Sequence, residues 1–230
     1  MNCSAIVLAA GSGKRMGTAV KKQYLEIKGM PVLAYSLRRF EKQPFIREIV
    51  LVTSPEEIEY CRTEIVDAYG IQKVKTIVAG GKERCDSVYE GLKVCGNSEY
   101  VFIHDGARPF VSDELLERLY EEVKLWNACI AAVPAKDTIK VADERQTIVA
   151  TPDRSLLWQA QTPQVFSLAL IRECYQAALT EHAAGLTDDA SCVEYCGKGP
   201  VRLTQGSYDN LKITTREDLP LAEILCEKYK

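Results

Sequence analysis

Four cations crowd one glycine-bearing turn near the start of the chain. Lys14, Arg15, Lys21 and Lys22 stand in or just after the run Leu8-Ala9-Ala10-Gly11-Ser12-Gly13-Lys14-Arg15-Met16-Gly17. Small residues such as Ala9, Ala10, Gly11 and Gly13 let the backbone approach a ligand, and glycine frees N–H groups to point at anionic oxygens. With the four charges added, the turn has the chemistry of a polyphosphate cradle; the other reading is an ordinary strand-to-helix turn with solvated cations. Two familiar nucleotide loops fail letter by letter. A Walker A loop needs Ser or Thr directly after its Lys, where Arg15 stands. The dinucleotide fingerprint needs Gly or Ala where Met16 stands, with Gly17 one place late, and no acidic residue closes a strand near position 35.

Asp105 is the second candidate. It follows the apolar run Tyr100–His104 and precedes Gly106, so it either faces a ligand crevice at a strand end or caps the following turn. His104, alone at a strand end, reads as a packing residue. The chain has only two His and nine Cys, and its closest cysteine pair, Cys192 and Cys196, lacks CxxC spacing, so neither a protein-ligated zinc site nor a disulfide framework is expected. No nucleophile–base pair is evident, which leaves electrostatic stabilisation as the chemistry these residues can perform.

The elements that must position them read as βαβ units. Apolar, β-branched runs at Ser4–Ala9, Glu48–Thr53, Lys75–Val78, Tyr100–His104 and Ala128–Val133 predict strands. Between them Val32–Glu41, Pro55–Tyr69, Arg84–Cys95 and Asp113–Leu125 show the three- and four-residue spacing of crossover helices. The expected fold is α/β, a Rossmann-like, doubly wound, mostly parallel sheet in a single domain over 1–230. After Pro134 the period changes: Lys136–Ala150 alternates β-branched and polar residues around Ala142-Asp143-Glu144-Arg145, predicting a protruding β-hairpin arm over about 135–155. Such an arm needs its edges covered, so it predicts a homodimer. Helices near Leu168–Glu181 and Arg216–Glu227 and a strand near Val201–Thr204 return to the main sheet.

With 29 basic against 32 acidic side chains the net charge is −3, which gives no field to gather nucleic acid. No apolar stretch approaches a membrane span and no basic region precedes the first apolar run, so neither a membrane nor an export route is expected and the cytoplasm is the expected compartment.

The string LAAGSGKRMG followed by Lys22-Gln23-Tyr24 resembles the signature of the sugar-phosphate nucleotidyltransferases. Gly80-Gly81 with Glu83-Arg84 and Asp86-Ser87-Val88, His104-Asp105-Gly106-Ala107-Arg108-Pro109, Asp137-Thr138-Ile139-Lys140, Gln161-Thr162-Pro163-Gln164, Thr187–Ser191 and Asn210-Leu211-Lys212-Ile213-Thr214 follow in order. Together they look like the 2-C-methyl-D-erythritol 4-phosphate cytidylyltransferase family of non-mevalonate isoprenoid biosynthesis. The resemblance implies that Arg15 and Lys22 are the catalytic cations and that Ala9, Ala10, Gly11, Gly13, Lys14, Gly81, Ser87 and Asp105 bind CTP. It implies further that Asp105, Arg108, Thr138, Arg154, Thr162, Thr187 and Lys212 bind methylerythritol phosphate, with Thr138 and Arg154 supplied by the partner's arm. Mg²⁺ would be the cofactor, held mainly by the triphosphate with Asp105 beside it. Two residues depart from the family's pattern, Lys21 where Pro often stands and Lys82 where Asp often stands, both placed beside the nucleotide.

On this resemblance the acceptor's phosphate attacks the α-phosphorus of CTP in line and pyrophosphate leaves. A phosphate monoester has its second pKa near 6, so the nucleophile is largely dianionic at neutral pH and needs no strong base. A ribitol 5-phosphate cytidylyltransferase shares the loop and the chemistry, and a catalytically silent nucleotide-binding protein is the alternative from another class.

Overall fold

The computed structural model describes residues 2–11 and 21–228. In chain order the elements are β1 (Cys3–Leu8), β2 (Glu26–Ile27), β3 (Met30–Pro31), α1 (Val32–Lys42), β4 (Ile46–Thr53), α2 (Ile58–Tyr60), β5 (Val74–Ala79), α3 (Arg84–Val94), β6 (Tyr100–Asp105) and α4 (Asp113–Trp126). There follow β7 (Ala128–Pro134), β8 (Val141–Ala142), β9 (Ile148–Ala150), β10 (Trp158–Ser167), α5 (Leu168–Thr180), α6 (Asp189–Cys196), β11 (Arg202–Gln205) and α7 (Asp218–Lys228). A 3₁₀ turn over Lys22–Tyr24 precedes β2, and the helix expected over 55–69 is a composite of a 3₁₀ turn, α2 and a π-helical stretch over Cys61–Asp67.

Seven strands form one sheet in the order β11-β7-β10-β6-β1-β4-β5. β1 pairs in parallel with β4 and β6, β4 with β5, and β11 with β7, while β10 runs antiparallel between β6 and β7. Side chains alternate across the pleat: Ala5, Val7, Leu51 and Phe102 pack beneath α1 and α4, whereas Ile6, Val50, Val52 and Ile103 pack beneath α3, α5 and α6. Both faces are therefore covered, which is why these strands read as continuous apolar runs. A smaller cluster holds α7 against Ile27, Val32, Phe110 and Ile213.

β10 and α6 have no counterpart among the sequence expectations. β10 carries Pro163 and five polar residues, a composition that argues against a central strand. It is accommodated because its register with β7 shifts between Ala160 and Gln164.

The hairpin is present, with shorter strands than the pattern suggested. β8 and β9 pair antiparallel, and the Asp143 carboxylate accepts from the backbone N–H groups of Arg145 and Thr147 at 2.9 Å each, an Asx-type turn. Nearly every residue from Lys136 to Ala160 is exposed, including Leu156 at 77% and Ile148 and Val149 at 60% each.

Candidate active site

β1 passes through β4 to β5 on one side, and the chain then returns to place β6 on the other. The carboxyl ends of β1 and β6 thus flank a topological switch point, where open α/β sheets bind ligands. A cleft of about 350 Å³ opens there, walled by Leu8–Gly11, Lys22, Gln23, Gly81–Arg84, Ser87, Asp105, Ala107 and Lys212.

The glycine-rich turn is anchored at both described ends. Ala9 N–H donates to the Val52 carbonyl at 2.7 Å, and the buried Gln23 amide donates to the carbonyls of Ala9 at 2.7 Å and Gly11 at 3.4 Å. Gln23 is thereby a structural clasp for the turn, and Lys22 beside it lines the cleft. Arg15, Gly13 and Lys14 lie outside the described residues. The Lys21 ammonium donates to Ser54 Oγ at 2.8 Å and pairs with Glu57 at 2.9 Å, so its charge is directed to the turn after β4. Lys82 does line the cleft.

Opposite the loop, the Gly80-Gly81 pair is demanded by close approach. A Cβ on Gly80 would lie 2.7 Å from both the Ala10 Cβ and Ser87 Oγ, and one on Gly81 would lie 2.2 Å from the Asp86 Cβ. Ser87 accepts from Gly81 N–H at 3.2 Å and donates to the Glu83 carbonyl at 3.0 Å, which fixes the first turn of α3. Glu83 and Asp86 complete a reciprocal capping box there.

Asp105, the last residue of β6 and directly opposite Leu8 of β1, is the charged centre of the cleft. Lys212 Nζ stands 2.6 Å from one carboxylate oxygen and Arg84 Nε 3.4 Å from the other. Burial pushes the Asp105 carboxyl up, but Arg84, Lys212 and Arg108 outweigh it and hold the group well below the usual carboxylate range. Arg84 turns its two terminal nitrogens to Asp189 in a bidentate pair at 2.8 and 2.7 Å. Asp189 is fully buried and also accepts from Tyr175 Oη at 2.6 Å, while Gln164 Oε1 receives the backbone N–H groups of Asp189 and Ala190. Arg84, Gln164 and Asp189 are functional residues that the sequence does not single out. Their polar types on otherwise apolar element faces were the available signal, but the partners lie 25 and 105 residues apart in the chain.

Behind Asp105, the Thr162 hydroxyl accepts from the Asp105 backbone N–H at 3.0 Å and lies 3.1 Å from His104 Nδ1. His104 Nε2 lies 3.0 Å from the Arg108 carbonyl, which can only accept, so Nε2 carries the proton and Nδ1 accepts from Thr162. Burial pushes the His104 imidazole down to about 4, leaving it neutral and structural, as its position suggested. Thr162 thus stands behind the cleft rather than in it, with its hydroxyl committed on both sides. Arg108 donates to the Asn210 carbonyl at 2.7 Å, and the Asn210 amide donates to the Thr162 carbonyl at 2.8 Å, tying the segment that carries Lys212 to the rear wall. Thr187 is exposed at the start of α6, its backbone N–H donating to Ser191 Oγ at 3.2 Å. Thr138 and Arg154 lie on the arm, both exposed, with Arg154 donating to the Lys136 carbonyl at 2.9 Å; neither lines this chain's own cleft.

Among the described residues no group of three or more His, Cys, Asp or Glu side chains is placed to hold a metal by itself. One ionised carboxylate at the cleft fits a hard divalent cation that takes most of its ligands from substrate phosphates and water. All nine cysteines are free, and among the described residues no helix is long and apolar enough to cross a membrane.

Comparison with known proteins gives concordant matches. The family model described as 2-C-methyl-D-erythritol 4-phosphate cytidylyltransferase matches residues 3–228. The protein of that name from Lachnospira eligens is 48% identical over 222 residues, covering 96% of this chain and 97% of its own length. Its counterpart from Caldanaerobacter subterraneus is 47% identical over 229 residues, covering 99% and 100%. The crystal structure of 4-diphosphocytidyl-2C-methyl-D-erythritol synthase from Anaerococcus prevotii has a TM-score of 0.86 at 34% identity, covering 98% of this chain and 96% of that one. That of the cytidylyltransferase from Francisella tularensis has a TM-score of 0.82 at 31% identity, covering 97% and 99%.

Proposed function

The chain belongs to the 2-C-methyl-D-erythritol 4-phosphate cytidylyltransferase family, and from that premise we propose that it joins CTP to methylerythritol phosphate, giving the diphosphocytidyl product and pyrophosphate. The observation that carries the reading is the convergence of Lys22, Lys212, Arg84 and Asp105 on the loop Ala9–Gly11 at the sheet's switch point. The matched relatives bear the methylerythritol name, which disfavours ribitol 5-phosphate as acceptor.

In the proposed reaction a phosphate oxygen of the acceptor forms a bond to the α-phosphorus of CTP while the bond to the bridging oxygen of the β-phosphate breaks. Backbone groups of Ala9, Ala10, Gly11, Gly13 and Gly81, with the Ser87 hydroxyl, hold the cytidine half, and Lys14 joins the phosphate cradle. Arg15 and Lys22 stabilise the charge that builds on the equatorial oxygens. Lys212, steered by Asp105, receives the acceptor phosphate together with Arg108 and Thr187, and Thr162 serves by fixing the backbone of Asp105. Mg²⁺ is the proposed divalent ion, bound by Asp105 and the triphosphate, and it neutralises the phosphate charges when bound. No residue is needed as a general base, in keeping with the neutral, buried His104.

Thr138 and Arg154 are assigned to a neighbouring subunit's site. Support comes from the arm's exposed Ile148, Val149 and Leu156, an apolar stretch suited to a partner chain in a homodimer. The setting proposed is the cytoplasm, with small molecules as ligands and neither nucleic acid nor membrane as partner.

The test is pyrophosphate release with CTP, UTP, ATP and GTP against methylerythritol phosphate and ribitol 5-phosphate. Turnover confined to CTP with the first acceptor is expected, and Arg15→Ala and Lys22→Ala should each lower it by about 10²–10³. Release with another pair, or wild-type turnover in either variant, overturns the assignment.

A further inference from the structure

Lys22 sits on a three-residue 3₁₀ turn too short to hold its own orientation, yet the residues on both sides of it are tied down. Gln23 clasps the glycine-rich turn from within. Lys21 has a second, longer contact with Glu56 at 3.6 Å, and Tyr24 Oη also lies 3.2 Å from Thr53 Oγ1 and from Cys61 Sγ. The two residues share one partner, Glu57, on the turn that follows β4. Its Oε1 takes the Lys21 ammonium at 2.9 Å. Its Oε2 accepts from Tyr24 Oη at 3.0 Å and from Ser54 Oγ at 2.6 Å, and Ser54 Oγ in turn accepts from Lys21 at 2.8 Å. Lys21 and Tyr24, which bracket Lys22 and Gln23, are thus joined through one carboxylate. The Glu57 side chain is 16% exposed and that of Lys21 26%, so the pair is screened less than a surface salt bridge. Glu57 lies outside the cleft's lining, so direct ligand contact does not explain the arrangement.

We infer that Glu57 is a positioning residue that, through Lys21 and Tyr24, aims the Lys22 turn at the anion site. This deepens the proposed function, because it rests on Lys22 acting on the triphosphate. The backbone of Lys21 has φ −65°, the angle that a proline ring enforces. The segment can therefore be held in two ways, by locking the backbone or by tethering the side chain, and this chain uses the tether.

The inference is tested by double-variant analysis of Glu57→Ala, Lys21→Met and Lys22→Ala, reading steady-state kinetics with CTP and, separately, the affinity for tripolyphosphate by calorimetry. Misplacement of a catalytic group by an ångström can cost up to 10²-fold, so a loss of about tenfold in kcat/KM for CTP is expected for Glu57→Ala and for Lys21→Met, measured at a temperature well below the melting point of each variant. Lys21→Pro should recover most of what Lys21→Met loses. In the Lys22→Ala background Glu57→Ala should cost nothing further, because the group it aims is gone. An undiminished effect of Glu57→Ala in that background, in either readout, overturns the inference. A wild type that binds tripolyphosphate but does not turn over CTP sinks the proposed reaction instead, and the tripolyphosphate cycle then decides the positioning role.

Discussion

Replacing Asp189 by Asn removes one charge from the fully buried end of the Arg84–Asp189 pair while keeping the shape and the oxygen that accepts from Tyr175. The guanidinium would then retain Asp105 at 3.4 Å as its ionic contact. Breaking a buried pair by neutralising one member costs about 3–5 kcal/mol, because it strands the other charge. The Arg84 side chain keeps 32% exposure, so screening lowers this to about 2–3 kcal/mol. For a chain of this length each kcal/mol is worth about 2–4 °C, so Asp189→Asn should melt roughly 4–12 °C below wild type. Adding Arg84→Met removes the stranded charge, so the double variant should be more stable than Asp189→Asn alone. Its turnover should stay low, because Asp105 has then lost a flanking cation and Arg84 no longer shapes the cleft. Melting by circular dichroism and pyrophosphate release measure the two effects separately. If Asp189→Asn melted within about 2 °C of wild type, or if Arg84→Met lowered its stability further, the pair would not be the strut described.

Three further outcomes are expected. His104 is held neutral in the folded state at about 4 against 6.5 when unfolded, so as pH falls from 6.5 to 4 the unfolded chain takes up the proton first and stability is lost, by about 3 kcal/mol; denaturant titrations of wild type and His104→Gln should differ by that amount across the window, and parallel curves would contradict it. The pH dependence of kcat/KM for the acceptor should fall about tenfold per unit below its phosphate pKa near 6 and be flat just above it; an inflection abolished by His104→Gln would assign that step to the protein. Gly106→Ala would place a Cβ 2.9 Å from the Leu8 carbonyl oxygen and 2.8 Å from the Leu33 Cδ1, costing about 1–3 kcal/mol, and an unchanged denaturation midpoint would refute this contact.

The fold and the chemistry were legible in the sequence to different depths. Strands β1, β4, β5, β6 and β7 follow from apolar periodicity to within two residues, because both faces of a parallel sheet are buried and the hydrophobic signal is local. The anion cradle after β1 and the carboxylate after His104 follow from residue type and place at strand ends. β10 escaped because Pro163 and its polar neighbours contradict strand preference, and pairing with β6 and β7 overrode that preference. Contacts between distant segments could not be read at all. That Lys21 turns from the cleft to Glu57, that Thr162 spends its hydroxyl behind Asp105, and that Arg84 is fixed by Asp189 are consequences of chain crossings over the sheet. Which residues can bind phosphate, and which strands carry them, depends on local composition and is readable from the chain alone. Which cations face the cleft and which serve as struts is settled by the packing of distant segments, because a side chain's charge commits to whichever carboxylate the fold brings within about 3 Å.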